Sequence, residues 1–332
     1  MATCERLSVK TATCNSCRIG WKCRLQKRMY LAKEAQINYE KNNRQSRQGI
    51  NMQPSQLQEL DEQLADLLKE KRQPISHITQ TNNLPVTSRT LYRWIDQGIL
   101  STRNIDLPKK VKYKPRKKHK KVEIFDQRYR EGRTYEDFLI YTTFSSSPIV
   151  QMDCVEGRKD EKRVLLTLLF TNTNLMLCYL LEQQTQTNVV QALNELESSF
   201  PPKIFQHLFP VILTDNGGEF KDSLGIEGAF YEEEKRCKVF YCDPMRSDQK
   251  GALEKNHEYI RRFLPKGISF NHLTQEKVAQ MTDHINSTTR PQLGGKSPYE
   301  LAEFMLGKEI LDCLGLKKIS PHEVQLHPRL LK

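Results

Sequence analysis

Apolar positions along this 332-residue chain follow one rhythm in its first third and another beyond it. Leu57, Leu60, Leu64, Leu67 and Leu68 form a single stripe at helical spacing, which predicts an amphipathic helix from Gln56 to Lys71. Leu25, Met29, Ala32, Ala35 and Ile37 recur more loosely through Arg24 to Arg44, where good helix formers and many cations predict another. A short helix starts at Pro74-Ile75-Ser76-His77-Ile78, TNNLPV turns the chain, and Thr87 or Ser88 caps a further helix in SRTLYRWIDQGIL. Leu91, Ile95 and Leu100 would face inward. Arg89, Thr90 and Arg93 would then face outward, as in a helix-turn-helix whose second helix reaches bases or phosphates. Three helices that merely pack together would show the same pattern.

Further along, the rhythm shortens to strands. Lys162 to Phe170 and Leu175 to Leu181 are continuous apolar runs separated by Thr171-Asn172-Thr173-Asn174, a hairpin signal. Val150 to Asp153 and Val211 to Asp215 are β-favouring runs that each stop at a carboxylate, the second followed by Asn216-Gly217-Gly218. Between them Val189, Val190, Leu193 and Leu196 predict a helix from Asn188 to Phe200, and Val239 to Cys242 reads as one more strand. QKGALEKNHEYIRRFL has Leu253, Ile260, Phe263 and Leu264 for a buried helical face and no proline until Pro265. Helices follow at Thr274 to Ile285 and Pro298 to Leu306, whereas Ile124 to Ser147 is weakly patterned. The expected fold class is α/β, with an all-α region ahead of it. The boundaries read 1–50 for a cysteine-rich segment, 51–107 for the helix-turn-helix region, 108–121 for a linker, 122–310 for the α/β domain and 311–332 for a tail.

Composition adds a partner. The net charge is +12, and nine Lys or Arg crowd between Lys109 and Lys121, including Lys109, Lys110, Arg116, Lys117 and Lys118. Such a run cannot form a core, and between a helix-turn-helix and an α/β domain it suits tracking the phosphates of double-stranded DNA. Met1 to Lys10 has no apolar leader, and no apolar run is long enough to span a membrane, so a cytoplasmic protein is expected. Nine cysteines in a chain of this length are expected to be reduced. Cys4, Cys14, Cys17 and Cys23 could supply four thiolates to Zn²⁺, or could be free thiols. Cys154, Cys178, Cys237, Cys242 and Cys313 lie in or beside apolar runs and read as small core residues.

The chemistry rests on three acids. Asp153 and Asp215 at strand ends and Glu254 on a helix could together hold Mg²⁺, with Mn²⁺ able to substitute, because hard divalent ions take oxygen ligands and usually only one or two protein carboxylates each. A pair of such ions clamps the attacking and leaving oxygens of a phosphoryl displacement. Singly, each acid also suits a blander role, Asp215 as a turn former and Glu254 as half of a surface ion pair. Asp160, Glu219, Asp222 and Glu258 compete nearby and read as solvated or supporting, and His257 as a surface histidine. Arg261 lies nearly two turns beyond Glu254 and shares its face, suited to a DNA phosphate.

Asp153 in VQMDCVEG, Asp215 in TDNGGEF and Glu254 in QKGALEKNHEYIRRFLPKGISF, with HINSTTRP and GKSPYEL behind them, resemble the insertion-sequence-thirty family of DDE transposases over nearly the whole chain. The resemblance implies a ribonuclease H-like integrase catalytic core and metal-dependent DNA strand cleavage and transfer. Asp153, Asp215 and Glu254 would be the catalytic metal ligands, and Lys250 and Asn256 in the KGALEKN block would make DNA or supporting contacts. Terminal inverted repeats and target DNA would be the partners of a homodimer or higher oligomer. Family members usually carry a further helix-turn-helix ahead of the cysteine-rich segment, and this chain begins at that segment. An active transposase is therefore weighed against a shortened, non-transposing DNA-binding repressor and against a nuclease without strand transfer.

Overall fold

The computed structural model of the chain describes residues 4–8, 12–45, 50, 52–107, 128–228, 235–244 and 246–331. Lys109, Lys110, Arg116, Lys117 and Lys118, and with them the basic linker, lie outside the described residues. The chain divides into two compact units, Met1–Gln58 and Glu59–Lys332.

In the first unit α1 (Ala32–Gln45) starts well after Arg24. The expected earlier start fails because Arg28 to Tyr30 bond back to the cysteine turns: Cys14 N donates to Arg28 O at 2.6 Å and Asn15 Nδ2 to Tyr30 O at 2.8 Å. Leu25, Met29 and Ile37 are exposed, so their loose periodicity marks no packing face among the described residues.

α2 (Pro54–Ala65) carries the expected leucine stripe, with Leu60 and Leu64 buried. Its stripe continues to buried Leu68 through a wider π turn, Asp66–Glu70, closed by Lys71 N donating to Asp66 O at 3.1 Å. α3 (Ile75–Thr81) and α4 (Ser88–Asp96) follow, and Thr87 rather than Ser88 caps α4 through Thr90 N. Leu91, Ile95 and Leu100 are buried as expected, joined by Trp94. Arg89 and Arg93 are exposed and Thr90 is half-buried.

α5 (Tyr135–Phe144) leads into the sheet from a capping box in which Thr134 and Asp137 satisfy each other's backbone donors. The strands are β1 (Ile149–Glu156), β2 (Val164–Phe170), β3 (Met176–Leu181), then, after α6 (Gln186–Ser198) and α7 (Pro202–Leu208), β4 (Val211–Thr214). α8 (Ser223–Glu227), β5 (Lys238–Tyr241) and α9 (Gly251–Phe263) complete the core. The spatial order is β3-β2-β1-β4-β5, with β1 to β3 antiparallel and β4 and β5 parallel to β1. This is the mixed α/β arrangement expected from the run of elements.

The sheet is covered on both faces. Val164, Leu166, Leu168 and Phe170 of β2 pack with Val189, Leu193 and Leu196 of α6, while Leu165 and Leu169 pack with Leu253, Ile260 and Phe263 of α9. All of β2 is buried because it sits between two helical layers, which is why its sequence reads as an unbroken apolar run. α10 (Gln275–Asn286), α11 (Pro298–Leu306) and α12 (Lys308–Cys313) finish the helices. The last residues are part of the core: Val324, Leu326 and Leu331 are buried, and Gln73 Nε2 donates to Val324 O at 2.8 Å. Cys178, Cys237 and Cys242 are core residues and Cys154 is half-buried, but Cys313 is exposed, because the last residue of α12 turns away from the face that buries Leu311.

Candidate active site

The parallel pairing of β1 with β4 sets Gln151 against Leu213 and brings Asp215, just past the end of β4, near Asp153. Asp153 lies inside β1 opposite Thr167 rather than at the expected strand end, because β1 runs on to Glu156 against β2. Thr214 Oγ1 donates to Met152 O at 3.2 Å and fastens the two strands at this point. Along β1 the side chains alternate, and Asp153 shares its face with Val155, which packs among residues of α9.

One cation touches both acids. Lys250 Nζ lies 3.3 Å from Asp153 Oδ2 and 3.2 Å from Asp215 Oδ2, and donates to Met152 O at 3.4 Å. Its side chain is 4% exposed. Burial opposes the charge of Lys250, but the two carboxylates outweigh it and raise its pKa. Asp153 is pushed up to about 6, chiefly by burial, with Asp215 adding repulsion and Lys250 partly offsetting both. Two carboxylates within reach of a single positive charge fit a divalent ion that takes two protein oxygens and completes its shell with water.

The turn after β4 is built around Asp215. Its Oδ1 accepts from Gly217 N at 2.9 Å while Oδ2 faces Lys250, so the turn-forming and charge-holding roles use different oxygens. A Cβ on Gly217 would stand 2.7 Å from Glu219 Oε2 and 3.0 Å from Asp215 Oδ1, which accounts for glycine there. Asn216 Nδ2 donates to Cys242 O at 2.7 Å and fixes the same turn to β5.

Glu254, exposed in the first turn of α9, lines a cleft of about 900 Å³ together with Asp153, His257, Glu258, Arg261 and Arg262. Lys69, Arg72, Ile105, Asp106 and Leu107 of the helical region line the same cleft. Arg261 shares the cleft with Glu254, as its spacing implied, and donates to Glu156 O at 3.0 Å. Among the described residues no three His, Cys, Asp or Glu side chains gather closely enough to hold a metal ion. That covers the four N-terminal cysteines and the acidic trio alike.

Several expectations change once the side chains are placed. Lys250 and Asn256 are buried and so cannot meet a duplex directly: Lys250 is enclosed by the aspartates, and Asn256 donates to Ala252 O and accepts from Arg290 Nη1. His257 is half-buried rather than a surface residue, because Thr167 Oγ1 lies 2.9 Å from its Nε2. Since Thr167 Oγ1 also donates to Asp153 O at 2.9 Å, its hydroxyl proton is used there, and His257 is the Nε2–H donor. Burial, with Lys250 and Arg261 adding to it, holds the His257 pKa down to about 4, so the ring is neutral near pH 7. Glu219 is not solvated but buried, accepting from Gln184 Nε2 at 2.6 Å. Asp222 caps α8 and Asp160 sits in an exposed pair with Arg158. Thr167 was legible as the one hydroxyl in VLLTLLF, and Gln151, whose Oε1 accepts from Leu253 N at 2.9 Å, as the one amide in IVQMD.

No protein-family model matches the chain. A relative in Streptococcus salivarius, named a probable transposase for the insertion-like sequence element IS1161, is 27% identical over 227 residues, 65% of this chain and 58% of the relative. A protein of Spiroplasma virus SpV1-R8A2 B, named putative integrase ORF3, is also 27% identical, over 65% of this chain and 63% of its own length. The chain therefore spans less than two thirds of either. The transposase InsI of IS30A from Escherichia coli strain K12 is 26% identical over 151 residues, 46% of this chain and 37% of InsI. A solved chain of a simian T-cell lymphotropic virus intasome in complex with PP2A regulatory subunit B56 gamma aligns at a TM-score of 0.37 and 17% identity, over 46% of this chain and 53% of that one. Relatives from two bacteria and a virus thus bear the names of transposases and of an integrase, and the chain is similar in sequence to transposases of insertion sequences, that of IS30 among them.

Proposed function

We propose that this protein cuts DNA and transfers the cut strand through Asp153, Asp215 and Glu254, on a core of ribonuclease H-like type. The observation that carries the reading is the convergence of Asp153 and Asp215, from neighbouring parallel strands, on the single cation Lys250, with Glu254 on the wall of the cleft that Asp153 also lines. Mg²⁺ held there would supply Lewis-acid stabilisation of the attacking and leaving oxygens. The chain's own groups do the rest. Asp153 and Asp215 would hold the ion, and Asn216 and Gly217 fix the turn that aims Asp215. His257 and Thr167 fix the backbone at Asp153. Arg261, with Lys69, Arg72, Arg262 and Lys266 on the cleft walls, offers positive charge to a DNA phosphate. α3 and α4 form the helix-turn-helix of this proposal, with Arg89, Thr90 and Arg93 toward the duplex.

The test is a cleavage assay on DNA carrying the element's ends. Asp153→Asn, Asp215→Asn and Glu254→Gln should each abolish Mg²⁺-dependent cleavage and leave DNA binding intact, because each removes charge without volume. Mn²⁺ should replace Mg²⁺ for the unaltered protein. Cleavage near the unaltered level by any one variant would remove that residue from the site.

A further inference from the structure

The two aspartates already hold a cation, and it belongs to the protein. Lys250 Nζ sits within 3.3 Å of one carboxylate oxygen from each acid, oxygens that would otherwise be free to hold a divalent ion. The ammonium is almost wholly enclosed and has Met152 O as its further acceptor. An ammonium and a divalent ion cannot share that volume. Lys250 is also the residue immediately before α9, whose first turn carries Glu254. A backbone shift at Lys250 that withdraws its ammonium from between the aspartates would therefore be passed to the start of the helix on which the third acid stands.

Resting on the metal-site reading above, we propose that Lys250 is a resident counter-cation, which occupies the metal position until a divalent ion displaces it and thereby couples metal loading to the placement of Glu254. The gathering of the three acids is then a consequence of loading. The ammonium keeps two neighbouring carboxylates from repelling each other while no ion is bound. It also raises the ion concentration needed for loading, because two ligands competing for one position each weaken the other equally.

The experiment uses the full chain and Mn²⁺ as the probe, with bound ion read by electron paramagnetic resonance and folding by circular dichroism in chelator. Lys250→Met, close in volume and uncharged, should bind Mn²⁺ roughly tenfold to a hundredfold more tightly than the unaltered protein. It should also melt at a lower temperature in chelator and regain more of that loss when Mn²⁺ is added. A variant unfolded in chelator that folds on adding Mn²⁺ supports the proposal in stronger form. A variant that stays unfolded with and without Mn²⁺ overturns it, since Lys250 would then be a purely structural residue. If the unaltered chain binds Mn²⁺, loses it in Asp153→Asn, and Lys250→Met binds no more tightly, the counter-cation is overturned and the metal site stands. If no Mn²⁺ binding depends on Asp153 in either background, both fail together.

Discussion

A buried amide on β1 sets where α9 begins. Gln151 accepts the N–H of Leu253, one of the donors that the first turn of any helix leaves without an internal partner. Gln151→Leu would strand that donor in a dry site at a cost of about 1–3 kcal/mol, with a matching fall in the urea midpoint of metal-free protein. An unchanged midpoint would show that another group satisfies Leu253. The same scale explains what the residue pattern did and did not disclose. Asp215 stands out in sequence because a carboxylate ends an apolar run and Glu254 because it rides on an amphipathic helix, both local signals, whereas the apparent stop at Asp153 lies inside β1, which continues to Glu156. The enclosure of Lys250 does not stand out, because a lysine beside Gly251 looks like any solvated cation until two distant strands deliver acids to it.

Elements were legible where one face is buried and hidden where apolar residues point both ways. The buried face of α9, Leu253, Ile260, Phe263 and Leu264, came out as expected. α5 went unseen because Phe138 is buried while Leu139, Ile140 and Phe144 are exposed, which erases its periodicity. α10 carries a testable pair. His284 Nδ1 accepts from Gln325 N at 3.0 Å, and burial holds its pKa down to about 4. A neutral native histidine contributes stability that is complete above its ordinary value near 6.5 and is lost as pH falls toward 4. Adjacent Asp283, pushed up to about 6 by burial, contributes the opposite slope, with stability complete below its ordinary 3.8 and lost as pH rises through 6. His284→Asn keeps an acceptor for Gln325 and cannot be protonated in this range. Relative to the unaltered protein it should gain up to ~3 kcal/mol between pH 6.5 and 4, leaving the Asp283 slope exposed in urea titrations. A parallel pair of pH profiles would show that His284 titrates normally in the fold.

For the molecule as a whole, net charge and the basic run after Pro108 make salt the decisive variable. Binding to duplex DNA should weaken so that log K falls by about 0.9 per phosphate contact for each tenfold rise in salt. Neutralising Lys109, Lys110, Arg116, Lys117 and Lys118 together should weaken binding to all sequences alike, whereas Arg89→Ala or Arg93→Ala should also reduce discrimination between sequences. Competition titrations at two salt concentrations measure both, and a flat salt response would contradict a phosphate-tracking run.

Local periodicity was enough to predict the order of the five strands, the helices α6, α9, α10 and α11 and the leucine stripe of α2, because each depends on neighbours a few residues away. Tertiary structure alone decided the rest. The C-terminal residues carry no strong pattern, yet His77, Gln73 and Lys71 bond to Pro321, Val324 and Leu326, the first two pairs 244 and 251 residues apart in the chain. The cation between Asp153 and Asp215 is of the same kind. Its partners come from β1, from β4 and from the turn before α9, so only the pairing of the two strands and the seating of that helix bring them together.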